Sequence, residues 1–236
     1  YIRITTFNAQ TSPGLKKAFA DIQKQAGDKL IGYVLDLRNN PGGLLDQAIG
    51  ILEHTDNFSR LKSKDAATTI STEARGTIMA GHFIGRDRDL LRGKPVVVLI
   101  NDGSASASEI VAGVLQAHKR ALVAGTSRSF GKGSVQTIIP LGDEGIRLTT
   151  SQYLIGSKGC EQPVQGKGVT PDIMLQPEEN APERSYFEEA LPDALQTSQA
   201  TGVGCTHRFA LPEGHEAVIH QMIVAMGLKL KTPSAQ

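Results

Sequence analysis

The sequence predicts an α/β fold in which buried strands alternate with amphipathic helices, and three observations carry that prediction. Leu30-Ile-Gly-Tyr-Val-Leu-Asp-Leu37 and Lys94-Pro-Val-Val-Val-Leu-Ile100 are nearly continuous apolar runs, the pattern of parallel strands covered on both faces. Each run is followed by a turn and then by apolar residues at helical spacing: Leu44, Leu45, Ala48, Ile49 and Leu52 after the first, Ile110, Val111, Val114 and Leu115 after the second. The composition agrees, since 39% apolar residues with 5% aromatics and no Trp describe a core of Val, Ile, Leu and Ala. Strand, helix, strand, helix at these spacings is the βαβ arrangement with right-handed crossovers.

In chain order, residues 1–8 read as an opening strand, and Thr11-Ser-Pro-Gly leads into a helix with Leu15, Ala18, Phe19 and Ile22 on one face. Pro13 suits its first turn. Thr68–Ala74 reads as a further strand, followed by the charged segment Arg86-Asp-Arg-Asp89. After the central helix, Arg120–Gly125 is a short strand. Ser134–Pro140 and Gly145–Tyr153 alternate as a half-exposed antiparallel arm should. Beyond Leu175 the composition shifts to Pro, Glu and Asp, with one helix expected over 213–230. The expected organisation is a core domain over 1–175 with a mixed sheet and the antiparallel arm, then a partly helical C-terminal extension over 176–236.

Composition also excludes several function classes. A net charge of +1 and no Lys/Arg run give no electrostatic case for nucleic acid. No apolar stretch reaches the ~20 residues that span a bilayer. Cys160 and Cys205 lack metal-ligand spacing, and leave one disulfide or two ordinary thiols open. The first residue is Tyr and Tyr1–Ile4 already alternates like a strand, so the chain reads as a piece of a longer polypeptide. A missing leader therefore says nothing about location.

The chemistry concentrates where Asn101-Asp-Gly-Ser-Ala-Ser-Ala-Ser108 joins a buried strand to a helix. A helix N-terminus offers unpaired N–H groups and a positive dipole end to a developing oxyanion. Ser106 with Glu109 is equally a capping box, which needs no chemistry. A serine nucleophile requires a base. The six histidines, His54, His82, His118, His207, His215 and His220, fall in polar loops or on helix faces and read as surface residues. Lys132 is enclosed by glycines in Phe130-Gly-Lys-Gly133, opens a strand expected in the same sheet as the serine turn, and has no Asp or Glu between Gly125 and Leu141. A lysine acts as a base near neutral pH only when its amine is kept from water and carboxylates. Lys132, Ser134 and Gln136 share strand parity, so the Gln136 carboxamide can orient the amine without adding charge. A simple turn with an exposed lysine is the plain alternative. A phosphate-binding turn is the other alternative, and it is disfavoured because the lysine of a phosphate loop would open a helix, whereas Lys132 opens a strand. Glycine amides of Arg38-Asn-Asn-Pro-Gly-Gly43 reach the same sheet edge, where ligands bind in open α/β folds.

Taken together, Asp36-Leu-Arg-Asn-Asn-Pro-Gly-Gly-Leu-Leu45, Gly103-Ser-Ala-Ser-Ala-Ser-Glu-Ile110 and Phe130-Gly-Lys-Gly-Ser-Val-Gln136 closely resemble the carboxyl-terminal processing (tail-specific) proteases, the S41 serine peptidases. Tyr1–Phe7 and Gly166-Lys-Gly-Val-Thr-Pro-Asp172 match that family's flanking segments, so the resemblance spans about residues 1–175. It implies a ClpP/crotonase-like core. It also implies Ser106 as nucleophile, Lys132 as base and Gln136 as its orienting group, with Ser104 and Ser108 structural. The oxyanion hole would be Ala107 N–H with Gly42 or Gly43. No metal or cofactor is implied. The expected partners are protein or peptide C-termini, and a homo-oligomer is left open. A PDZ domain normally precedes the segment where this chain begins, and none is in it. The compartment implied is the periplasm or cell envelope. The Gly125–Phe130 segment is one residue longer than the family pattern, and residues 53–92 carry little of it. A non-catalytic or latent relative that binds a peptide or hydrophobic ligand is the competing reading. Acyl-CoA chemistry has only the fold in its favour.

Overall fold

The computed structural model describes residues 1–55, 70–74, 77–82, 89–156, 161–177 and 211–231. Its elements in chain order are β1 (Ile2–Arg3), α1 (Thr11–Ala26), β2 (Tyr33–Asp36), α2 (Leu45–Thr55), β3 (Ile70–Ala74), β4 (Thr77–His82), β5 (Val96–Ile100) and α3 (Ala107–Ala117). They continue as β6 (Leu122–Gly125), β7 (Ser134–Leu141), β8 (Glu144–Ile155), β9 (Gln162–Pro163), β10 (Ile173–Met174) and α4 (His215–Ala225). Cys160 and Cys205 lie outside the described residues.

The strands form two sheets. One is wholly parallel, in the order β1-β2-β5-β6-β10. The other is antiparallel, in the order β4-β3-β8-β7, with β9 paired to β8. The α/β class is as the sequence predicts, but the single mixed sheet is corrected to two sheets. Lys132 consequently precedes a strand of the antiparallel sheet and not, as expected, one in the same sheet as the serine turn's β5. The physical reason is local. Leu141 pairs with Glu144 across the two-residue turn Gly142-Asp143, and Gly142 supplies a φ of 62°. A hairpin that short commits β7 to its sequence neighbour β8.

Both faces of the parallel sheet are covered, as its apolar runs require. Tyr33, Leu35, Leu37, Val96, Val98, Ile100 and Val123 face α1, α2 and α3. Leu15 and Phe19 of α1 are buried there, with the Phe19 ring edge-on to Tyr33 at a centroid distance of 5.2 Å. In α2 the core is met by Ala48, Ile51 and Leu52, while Leu44 of the expected stripe precedes the helix and is exposed. The alternate residues Val34, Val97, Leu99 and Ala124 pack against Ile219, Met222 and Ile223 of α4. Residues 229–231 add backbone hydrogen bonds to Met174 and Gln176. These three layers leave the carboxyl ends of β2 and β5 side by side, and the loops that follow them build the site.

Candidate active site

The loops after β2 and β5 are tied into one surface. Ser104 Oγ donates to the Leu37 carbonyl at 2.8 Å. Ala105 N and Ser108 Oγ both donate to the Asn40 carbonyl, at 3.0 and 2.9 Å. Ser104 and Ser108 are fully buried, so both are structural, as expected. Ser106 between them is only partly buried and has φ 54°, ψ −114° at the N-terminus of α3. A non-glycine residue held there costs about 1–3 kcal/mol, and such strain persists only where the surroundings over-determine it. The flanking serines supply that constraint, and the turn presents the Ser106 side chain at the sheet edge.

Glu109 is the buried centre of the site. Its Oε2 accepts from Ser106 N and from Lys132 N, both at 2.8 Å. Its Oε1 accepts from Gly131 N at 2.7 Å and from Ser129 Oγ at 2.5 Å. Burial pushes the Glu109 carboxyl pKa up, against hydrogen bonds from Ser129, Gly131, Ser106 and Lys132 that pull it down. Sequence reasoning gave Glu109 only the local half of this role, its bond to the Ser106 amide. Three of its four donors lie 20 to 23 residues away.

Lys132 is half-buried, and its backbone is clamped from two sides. Gly133 N donates to Gln165 Oε1 at 2.9 Å, and Gly166 N donates to the Gly131 carbonyl at 2.9 Å. A Cβ on Gly133 would come within 2.5 Å of Gln165 N, and one on Gly131 within 3.3 Å of Gly166. The glycines on either side of Lys132 therefore allow the 165–166 turn to lie against the backbone. That turn is fixed in its own right, since Ser129 and Val169 exchange backbone and side-chain hydrogen bonds. Gln136 pairs with Thr149 just past an irregularity in which Thr150 is the extra residue on β8. It is exposed where the arm leaves the core, whereas Ser134 is buried.

The two candidate oxyanion glycines differ. Gly42 (φ 94°) donates its N–H to Asn40 Oδ1 at 2.9 Å. A Cβ on it would sit 2.8 Å from both Ala107 N and Ser106 Cβ, so Gly42 is the point of closest approach to the serine turn. Gly43 (φ 141°) bridges Phe7 through its neighbours: Phe7 N donates to the Gly42 carbonyl and Leu44 N to the Phe7 carbonyl. Its own N–H has no part in that bridge. Ala107, as the first residue of α3, keeps an N–H the helix itself cannot use. Upstream, Arg38 grips the buried Asp36 carboxylate at 3.0 and 2.8 Å and steadies the start of this loop. Burial raises the Asp36 pKa, but the hydrogen bonds from Arg38 and Tyr1 outweigh it and hold the group below the usual carboxylate range.

Among the described histidines His118 departs from its expected surface placement, and His54, His215 and His220 are half-buried, while His207 and the side chain of His82 lie outside the described residues. His118, at the C-terminus of α3, is buried, and burial takes its pKa down to about 4. His54 Nε2 lies 3.2 Å from Ser12 Oγ. That contact links α1 to α2, where a Cβ on Gly50 would collide with Ser12 Oγ at 2.4 Å. It is a helix-to-helix tie on the flank of α2, away from the strand ends. Among the described residues no cluster of His, Cys, Asp and Glu could hold a metal ion, and no helix is long and apolar enough to cross a membrane.

A partly exposed serine on a strained strand-to-helix turn, joined through one carboxylate to a glycine-flanked lysine, has the form of a serine-nucleophile site on a parallel α/β sheet. The chain belongs to peptidase family S41, whose model matches residues 1–175. It is 51% identical over 178 residues to a carboxy-terminal-processing protease of Bartonella bacilliformis, covering 75% of this chain and 38% of that protein. It is 36% identical to a chloroplastic C-terminal processing peptidase of Tetradesmus obliquus, over 75% of this chain and 35% of that protein. Among solved structures, the photosystem II D1 C-terminal processing protease superposes with a TM-score of 0.62 at 34% identity, covering 75% of this chain and 42% of that one. Mature CPAF shares the fold at a TM-score of 0.52 and 17% identity. The chain thus spans well under half the length of these processing proteases.

Proposed function

We propose that the chain carries the proteolytic site of a serine endopeptidase that cleaves proteins near their C-termini. Ser106 Oγ attacks the scissile carbonyl carbon while the Lys132 amine takes the hydroxyl proton. The oxyanion is met by the N–H groups of Ala107 and Gly43, with Gly42 providing the clearance. Lys132 then returns the proton to the leaving amine. Water, deprotonated by the same lysine, releases the acyl group from Ser106. Gln136, four residues beyond Lys132, orients the amine. No step calls for a metal or cofactor.

One observation carries this reading: Glu109 Oε2 lies 2.8 Å from both the Ser106 and the Lys132 backbone nitrogens, so two segments 26 residues apart meet at one buried oxygen. The fold and the serine-peptidase class come with the family, while the roles of Ser106, Lys132 and Gln136, C-terminal substrates, a preceding PDZ domain and a periplasmic or envelope location rest on the resemblance to longer relatives. The exposure of Gln136 favours a second reading, a latent site that engages only when the arm is clamped.

The test is cleavage of an unfolded protein by the full-length protein. Ser106→Ala and Lys132→Ala are each expected to lower turnover by about a thousandfold or more. Near-native activity in either variant contradicts the dyad. Latency predicts a slow wild-type enzyme whose rate rises with a C-terminal peptide activator.

A further inference from the structure

We infer that Ser134 is a positioning residue for Lys132, its hydroxyl oxygen taking one N–H of the lysine amine so that the nitrogen lone pair points at Ser106. The inference rests on the dyad proposed above and adds a residue to it.

The backbone fixes which groups share a face. Tyr153 N donates to the Gly133 carbonyl at 2.7 Å, which extends the β7–β8 ladder one residue before β7 begins. In extended backbone, alternate residues point to opposite sides. Gly133 faces the Gln165 backbone so closely that no side chain fits. Lys132 and Ser134 therefore project together from the opposite face. Gln152, directly across from Ser134 in the register, closes that face and, like Ser134, is only 8% exposed.

On this covered face the Ser134 hydroxyl has no hydrogen-bond partner among the described residues. A buried hydroxyl left unpaired costs the fold stability, so alanine would suit the static structure better. Two groups on that face match its chemistry: the Gln152 carboxamide oxygen across the register, which can accept the hydroxyl proton, and the amine two residues earlier, which can donate to the hydroxyl oxygen. A hydroxyl can accept from that amine without bringing a negative charge beside it, which a carboxylate could not do.

The experiment measures kcat, KM and thermal unfolding for Ser134→Ala, Ser134→Thr and Lys132→Ala in the full-length protein, with an unfolded protein as substrate. Ser134→Ala is expected to lower kcat about 10- to 100-fold, the worth of one hydrogen bond to a reacting amine, with KM within about twofold and Tm unchanged or raised. Ser134→Thr, which restores the hydroxyl, is expected to recover most of the rate. A Ser134→Ala enzyme with wild-type kcat overturns the inference. So does a loss of activity that tracks a fall in Tm and is not recovered by threonine, since that is a packing role. Retained activity in Lys132→Ala would instead sink the dyad itself. An inactive Lys132→Ala beside a fully active Ser134→Ala would remove only the role of Ser134.

Discussion

The two ends of the segment from Glu109 to Leu141 are built on opposite principles. Around Glu109 the chain is buried, and one carboxylate gathers donors from Ser106, Ser129, Gly131 and Lys132. From six residues past Lys132, the β7–β8 arm leaves the core and exposes Ile138, Ile139, Leu141, Ile146 and Leu148, with Ile138 71% accessible. The contrast shows where precision is concentrated. Lys132 and Ser134 lie on the buried side of the boundary and Gln136 on the exposed side, so the backbone of Lys132 is held from the Glu109 end, while Gln136 stands where the arm departs.

The largest expected effect follows from emptying that buried centre. Glu109→Ala leaves three backbone N–H groups and the Ser129 hydroxyl without their acceptor, and is expected to destabilise the fold by at least about 3 kcal/mol. Any folded fraction should turn over about a hundredfold or more slowly if the proposed dyad holds, because the Ser106 and Lys132 segments lose their common anchor. Denaturant unfolding alongside turnover checks both. Glu109→Gln, which keeps one acceptor oxygen, should fall between alanine and the wild type. A Glu109→Ala protein as stable and active as the wild type would mean the carboxylate is incidental.

The next effect separates core from arm by pH. The His118 pKa is lowered from 6.5 to about 4 by burial, although a helix C-terminus favours the charged ring. Between those values the unfolded chain binds the proton and the native state does not, so stability is held above pH 6.5 and lost as the pH falls toward 4. The loss reaches about 3 kcal/mol at the acid end. Equilibrium unfolding measured across that range should show the slope, and His118→Gln should flatten it. An unchanged slope would place the acid sensitivity elsewhere.

The smallest effect is on the arm. Ile138→Thr keeps a β-branched residue at an exposed strand position and should change stability by no more than about 0.5 kcal/mol. A larger loss, measured by thermal unfolding, would show that the arm's apolar side chains are covered in solution and would erase the contrast.

Much of this was readable in the chain because the signals are local. Val96–Ile100 is entirely buried, and its unbroken apolar run is what a strand covered on both faces must look like. The serine turn and the glycine-flanked lysine are each contiguous, and Gly131 and Gly133 carry their reason in the missing side chains. What escaped depends on distance along the sequence. Glu109 looked like a helix cap because one of its bonds is a cap bond, and nothing in its neighbourhood reveals Ser129 or Lys132. The assignment of β7 to a second sheet was hidden because alternation fixes which face a residue takes, not which strand it pairs with. His118 passed for a surface residue because its neighbours Lys119 and Arg120 are charged, yet Arg120 is itself buried, paired with Asp89.

The most direct test of the Ser106–Lys132 pairing is to remove the amine and put it back. Lys132→Cys in the full-length protein is expected to be folded and inactive. Alkylation with 2-bromoethylamine then rebuilds an amine of nearly lysine length at position 132, with wild-type protein treated in parallel to account for Cys160 and Cys205. Recovery of protein-cleaving activity by about tenfold or more over the untreated variant is the predicted result. Wild-type activity in untreated Lys132→Cys, or no recovery in a folded and fully alkylated protein, would contradict the assignment of Lys132 as the base.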